Sequence, residues 1–327
     1  MNIGRLRFFV QLFFFMFLIY GGLYSLKIGS SLPTFACRYN DYRGGICALY
    51  SFQVLLGFPL KTLFTSYFMG FAITILIFGF WAFLFNKAWC GWVCPMGFIQ
   101  DILSGIRNFL GISAVKFSES RRKKLSCVKF IVLLLLIMIP ILISNSFFGL
   151  PTLPKELAIP YCNICPAKTA APMLTGNFEE VKVFGNAGIG IDFKSIIKIS
   201  LSTLSVIIFS LFIVGSFFKK RFFCTFCPMS ALLTLFEKIG LIKLKKDGSK
   251  CTHCNNCAKA CPLDIQEIAT ERTKTNMVTS DCTLCMKCIE DCPENNALKA
   301  TICGKTVFKS SAKGFIKRQI KKNKTKK

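Results

Sequence analysis

Two runs of the chain carry thiols at one repeated spacing: Cys251-x2-Cys254-x2-Cys257-x3-Cys261-Pro262 and Cys282-x2-Cys285-x2-Cys288-x3-Cys292-Pro293. In paired [4Fe-4S] sites, three closely spaced thiolates bind one cubane, and the fourth, just before proline, reaches across to the other. The spacing therefore predicts Cys251, Cys254, Cys257 and Cys292 around one cluster. Cys282, Cys285, Cys288 and Cys261 would surround the second. Paired C-x2-C motifs also build zinc ribbons. Two complete runs, each closing on Cys-Pro, favour iron-sulfur chemistry, and with it electron transfer in one-electron steps.

Eight further cysteines fall into two sets. Trp89-Cys90-Gly91-Trp92-Val93-Cys94-Pro95-Met96 and Phe223-Cys224-Thr225-Phe226-Cys227-Pro228-Met229 each end in Cys-Pro-Met. Each follows an apolar stretch, which is itself preceded by a loop bearing two more cysteines: Cys37 and Cys47 in the first half, Cys162 and Cys165 in the second. Such parallel repeats imply a pseudo-twofold axis along the membrane normal. If each helix continues to its proline, Cys90 with Cys94 and Cys224 with Cys227 lie on one helical face. These four are expected near the cytoplasmic surface, as a further cluster or thiophilic metal site or as small packing residues. Cys37, Cys47, Cys162 and Cys165 are expected on the outer face, as disulfides, a second metal site or unrelated thiols. Cys127 and Cys303 match no pattern.

The elements that carry these motifs are those of a membrane protein. Mean hydropathy is +0.51, and 35 of 327 residues are phenylalanine. Four apolar stretches, each with at most one charged residue, are long enough to cross roughly 30 Å of hydrocarbon: residues 8–28, 63–85, 128–144 and 195–218. The first lacks a convincing signal cleavage site and reads as a retained helix. The expected organisation is a first membrane repeat over 1–128, a second over 129–245, a bacterial-type 2[4Fe-4S] ferredoxin domain over 246–303 and a polybasic tail over 304–327.

Basic residues vote on orientation. The loop 87–127 is rich in Lys and Arg, including Arg121, Arg122, Lys123 and Lys124, and should be cytoplasmic by the positive-inside rule. Arg5 and Arg7, and Lys219, Lys220 and Arg221 after the fourth stretch, agree. Both termini are then cytoplasmic, in the reducing compartment that cluster assembly needs. The net charge of +26 sits beside the spans and in a tail, 305–327, with ten bases and no acid. That placement suits anionic lipid, at about 1 kcal/mol per charge, and not nucleic acid. The single histidine, His253, lies inside a ferredoxin run. No bis-histidine or C-x-x-C-H haem can therefore come from this chain.

Taken together, the chain resembles the NapH-type polytopic membrane ferredoxins, related to NosR-like and CcoG-like proteins. The resemblance rests on the four spans, the Cys-Pro motifs at Cys94 and Cys227, and the two ferredoxin runs. It departs from the family in a second motif one residue shorter and in the outer Cys162-Asn163-Ile164-Cys165-Pro166. The resemblance implies a multi-pass protein of the bacterial cytoplasmic membrane that relays electrons between two cytoplasmic [4Fe-4S] clusters and the quinone pool or a partner redox protein. It does not imply nitrate as acceptor. Two other classes fit the same residues: a maturation factor that reduces a metal or disulfide for a respiratory enzyme, and a plain anchor that recruits a dehydrogenase.

Overall fold

A computed structural model describes residues 3–24, 33–34, 36–145, 158–177 and 193–324. Helix α1 (Ile3–Tyr20) is followed by two parallel two-residue strands, β1 (Pro33–Thr34) and β2 (Ile46–Cys47), and by α2 (Ala48–Leu56), α3 (Leu60–Thr65) and α4 (Phe68–Phe85). Then come α5 (Pro95–Phe109), α6 (Glu119–Ser144), α7 (Pro160–Ile164), α8 (Pro166–Thr175), α9 (Phe193–Phe218) and α10 (Pro228–Leu232). Helices α1, α4, α6 and the stretch Ile199–Phe218 of α9 are long and apolar enough to cross a membrane. Their outward residues, such as Phe9, Phe13, Leu76, Leu134 and Leu211, are exposed hydrophobics, as a lipid-facing surface requires.

The boundaries differ from the sequence reading for local reasons. The first helix starts at Ile3 and stops at Tyr20, because the chain turns through Gly21 and Gly22 against the next loop. A Cβ on Gly22 would stand 2.9 Å from the Tyr42 carbonyl oxygen. The second stretch breaks at Ser66 and Tyr67 into α3 and α4. The third begins at Glu119, so Arg121, Arg122, Lys123 and Lys124 lie on the first turns of α6 and not in a loop.

The C-terminal unit is a three-stranded antiparallel sheet, β3 (Ile242–Lys246), β4 (Leu298–Ile302) and β5 (Lys305–Lys309), in the order β3-β4-β5. Between β3 and β4 run the short helices α11 (Asn256–Ala260), α12 (Glu267–Thr270) and α13 (Lys287–Glu290), and α14 (Ala312–Lys324) follows β5. The tail is thus part sheet and part helix. The two cysteine runs share a backbone signature: His253 and Asn255 have φ of 56° and 57°, Leu284 and Met286 of 48° and 60°. These left-handed residues curl each run back on itself.

This unit is clamped to the helices. Ile3, Ala88 and Trp92 pack into its core beside Leu284 and Ile289. Buried ion pairs cross the same junction. Asp281, next to Cys282, takes Arg122 and the Lys129 ammonium, the latter at 2.6 Å. Asp264 takes Lys219, and Lys87 donates to the Thr279 carbonyl at 2.9 Å. Lys87, Arg122 and Lys219, which count toward orientation in the sequence, are therefore docking contacts, and all three are buried.

Candidate functional site

The two ferredoxin runs form two cavities, and each takes cysteines from both runs. Cys251, Cys254, Cys257 and Cys292 line one, of about 20 Å³. Cys261, Cys282, Cys285 and Cys288 line the other, of about 30 Å³. Cys257 and Cys288 stand within electrostatic reach of each other and so link the two. Burial pushes the Cys261 thiol up to about 12 and those of Cys257 and Cys282 up to about 11. Iron must displace those protons on binding.

Cys37, Cys47, Cys90, Cys94, Cys165, Cys224 and Cys227 all line a third cavity, of about 90 Å³. The expectation of two cysteine sets on opposite membrane faces is corrected here. Segments from both ends of the bundle fold inward and meet. Val93 packs against Leu18 and Ala36, and Ile19 joins the cavity wall, far along α1 from the Gly4 amide that donates to Glu290. From the other end, Thr169 of α8 meets Ser205 of α9 at 3.1 Å, and Ala48 of α2 shares a core with Leu136 of α6.

The condition for placing each pair on one helical face, a helix continuous to its proline, is not met. Helix α4 ends at Phe85, Asn86 turns with φ of 48°, and Cys90 lies on a π-helical turn, Trp89–Val93. Cys224 lies on a 3₁₀ turn, Phe222–Thr225, entered through Arg221 at φ of 51°. The breaks free each motif from its span and let it enter the bundle.

Four cysteines then start helices. Cys47, Cys94, Cys165 and Cys227 cap α2, α5, α8 and α10 with ψ of 125°, 120°, 134° and 120°. Three have proline at the first helical position, which needs no amide partner. Cys90, Cys94, Cys224 and Cys227 are each within electrostatic reach of the other three. Gln100 leans on the group, its Nε2 lying 3.7 Å from Cys224 Sγ.

The inner group also approaches the ferredoxin unit. A Cβ on Gly91 would sit 2.2 Å from the Thr283 carbonyl oxygen and 3.4 Å from Cys285 Cα, so only glycine permits this approach. Arg221 lies between the two regions. It donates to the Cys90 carbonyl at 2.9 Å and to Asp101 at 2.7 Å, and both Cys224 and Cys285 feel its charge. Burial alone would raise Asp101, but Arg221 and Arg7 hold it well below the usual carboxylate range. Sequence reading found the cysteines and missed Arg221, Asp101, Gly91 and Thr283. Arg221 is the last of three consecutive bases, Lys219, Lys220 and Arg221, and in the sequence it counts with them toward orientation.

Among the described residues, no three His, Cys, Asp or Glu side chains converge tightly enough for a single metal ion. A cubane spreads its thiolates over four iron corners, so cavities walled by four cysteines are the fitting arrangement. The Thr283 hydroxyl agrees: it is buried without a hydrogen-bond partner and lies on the walls of both the Cys285 cavity and the seven-cysteine cavity. There it can donate to an anionic sulfur group. Of the remaining thiols, Cys127 and Cys303 are exposed.

Comparison with known proteins agrees with this chemistry. Residues 243–293 match the 4Fe-4S dicluster domain family. Residues 67–113 and 201–247 each match the 4Fe-4S binding domain family. An uncharacterised protein of Methanocaldococcus jannaschii is 26% identical over 57% of this chain and 55% of its own length. The Escherichia coli K12 protein YccM, provisionally named an electron transport protein, is 24% identical over 56% of this chain and 43% of its own. The regulatory protein NosR of Pseudomonas aeruginosa is 23% identical over 75% of this chain and 28% of its own. The chain thus spans about half or less of the length of these relatives. No solved structure matches it. The matched segments are 4Fe-4S domains, and these likenesses are consistent with the resemblance to NapH-type membrane ferredoxins read from the sequence.

Proposed function

We propose that the chain relays electrons between two [4Fe-4S] clusters in its C-terminal unit and a third thiolate-held group inside the helix bundle, and from there to the quinone pool or a partner redox protein. Cys251, Cys254, Cys257 and Cys292 would ligate one cluster, and Cys282, Cys285, Cys288 and Cys261 the second. Cys90, Cys94, Cys224 and Cys227 would hold the third group. Bound clusters supply one-electron storage. The chain's residues supply position and charge. Asp281 and Asp264 pin the second cluster's loops to α6 and α9 through buried ion pairs. Gly91 lets that loop touch the inner motif, and the Arg221 guanidinium offsets negative charge on both sides of the contact. The single observation that carries the reading is this seat of Thr283 and Cys285 on Gly91, which leaves the two thiol groups adjacent across one backbone contact.

A cavity of about 470 Å³ lies at the same junction, lined by Phe14, Phe17, Trp81, Trp89, Trp92 and Phe308 among others. Its size falls in the range of about 300–1,000 Å³ usual for small-molecule sites. Trp92 on its wall donates to the Leu284 carbonyl, beside Cys285, at 2.9 Å. An apolar, aromatic chamber of this kind suits a quinone ring or its isoprenoid tail. The double match of one 4Fe-4S binding family and the equal cap geometry of Cys94 and Cys227 support two parallel repeats. The basic residues flanking the spans support a bacterial cytoplasmic membrane location with both termini inside.

The test is Cys94→Ser and Cys227→Ser in full-length protein purified anaerobically. Each should lower bound iron by about four atoms per chain and abolish quinol-coupled reduction, while the paramagnetic signals of the two C-terminal clusters persist. Unchanged iron and unchanged coupling in both variants would leave a ferredoxin on a plain membrane anchor.

A further inference from the structure

Cys37, Cys47 and Cys165 on the wall of the central cavity, and Cys162 beside it, fall outside every matched family segment. Their relation to one another repeats that of the inner group. Cys37 and Cys47 sense each other, Cys162 senses Cys37, Cys47 and Cys165, and Cys165 senses Cys37 and Cys47, so all six pairs are within electrostatic reach. The two groups meet where Cys47 stands within electrostatic reach of Cys94, and Cys165 of Cys227. These are the four cysteines that start helices. The chain has built two thiol quartets back to back, one from each end of the bundle.

The local structure around the outer quartet is that of a prepared site. Gln53, fully buried, donates to Cys162 Sγ at 3.1 Å and accepts from the Tyr161 amide at 3.1 Å. Cys47 and Cys165 are the N-cap residues of helices α2 and α8, of nine and ten residues. Amide groups there favour negative charge, which thiolates on iron carry and disulfides do not. All four are free thiols in the structure. Two observations decide between a single ion and a cluster. No three of the thiols close around one ion, and the shared cavity of about 90 Å³ compares with about 20 and 30 Å³ at the two ferredoxin sites. There is room for more than one group of that kind.

We infer that Cys37, Cys47, Cys162 and Cys165 bind a fourth iron-sulfur cluster within the bundle, beside the inner quartet. Its existence does not depend on quinone binding; its role as a relay rests on the inner group proposed above. In that role the inner group loses one electron, the outer group gains it, and no proton or ligand need move. The path would then run from the ferredoxin unit to the far side of α1 without crossing the bilayer in one step.

The experiment is iron and acid-labile sulfide analysis of the full chain, paired with mass-spectrometric mapping of which cysteines resist alkylation in the native protein. Four cubanes give about sixteen irons per chain. Cys37→Ser combined with Cys165→Ser should remove about a quarter of the iron, with the ferredoxin signals retained. In wild-type protein all four outer thiols should resist alkylation until a chelator strips the iron, and Cys127 and Cys303 should react at once. This second arm reads the site even where the double variant does not fold. About twelve irons with outer thiols alkylated natively, or two disulfides linking them, would overturn the inference and leave the inner site standing. About eight irons with both quartets reactive would overturn the inner site as well.

Discussion

In the ferredoxin unit a cysteine finds most of its partners within one short run, whereas in the helix bundle each quartet draws two thiols from each half of a long chain. Cys251, Cys254 and Cys257 need only the left-handed residues His253 and Asn255 to curl the backbone around a common centre. Cys90 and Cys227 need α4 to end at Asn86, Arg221 to turn the chain after α9, and the spans to pack. A local site tolerates a rough scaffold. A dispersed one inherits every error in how the helices meet, so the bundle spends its buried polar contacts on alignment: Arg221 with Asp101, Gln53 with Tyr161, Gln100 with the Phe223 amide at 3.0 Å.

If that contrast is right, the largest asymmetry will come from Arg221→Leu. The substitution leaves Asp101 with Arg7 as its remaining ion-pair partner, leaves the Cys90 carbonyl without its donor, and removes the cation between the two regions. Breaking a buried pair from one side costs about 3–5 kcal/mol. Bundle thiols should lose iron and the detergent-solubilised protein should unfold at lower temperature, while the ferredoxin signals survive. Arg221→Lys should recover part of the loss, because lysine restores charge but not the two-pronged geometry. Equal loss of iron from both regions would break the comparison.

The same contrast explains what the sequence disclosed. The proposed ferredoxin ligand sets follow from spacing alone, and the cysteines of each set line a cavity of their own. The spans were legible from length and apolarity, although Gly21, Gly22 and the break at Ser66 moved their ends. The convergence of Cys47 with Cys94 and of Cys165 with Cys227 was not legible. It depends on α2 and α8 entering the bundle from the far end, and no periodicity in residues 36–56 or 158–177 announces that. Nor could composition separate Lys87, Lys129 and Arg221, which are buried partners of carboxylates or carbonyls, from the surface lysines beside them.

A middle-sized effect should come from Asp281→Asn, which acts on the joint between the regions and on neither site directly. Arg122 and Lys129 would keep a neutral acceptor and lose their counter-charge, a change of about 1.5–3 kcal/mol for hydrogen bonds to a charged group. Limited proteolysis between the bundle and the C-terminal unit should speed up, with iron content unchanged. The pH dependence has a definite sign. Burial opposes ionisation of Asp281, but Lys129, Ser126 and Arg122 lower it overall. A lowered carboxyl contributes its docking energy above the ordinary Asp value of about 3.9 and loses it only as pH falls below that value. Proteolytic protection of wild-type protein should therefore be flat from about pH 8 to about pH 5. A midpoint near pH 6.5 would mean that another group governs docking.

The smallest change tests the contact through which the two regions communicate. Gly91→Ala adds one methyl group where the Thr283 carbonyl oxygen would lie 2.2 Å away, a backbone atom with no flexible end to swing aside. Overpacking of this kind costs about 1–3 kcal/mol, which the docking ion pairs can absorb without releasing the unit. Neither quartet nor ferredoxin run loses a ligand, so iron and sulfide per chain should match wild type. What should fall is the rate at which reduced ferredoxin clusters re-equilibrate with the bundle, because the loop bearing Cys285 is pushed off the motif bearing Cys90. Rapid-mixing reduction, followed at the two sets of cluster signals, separates these outcomes. A variant with full iron and a slowed exchange identifies Gly91 as the gap electrons cross; full iron with an unchanged rate would place the crossing elsewhere, for instance through Trp92 and the Leu284 carbonyl it holds at 2.9 Å.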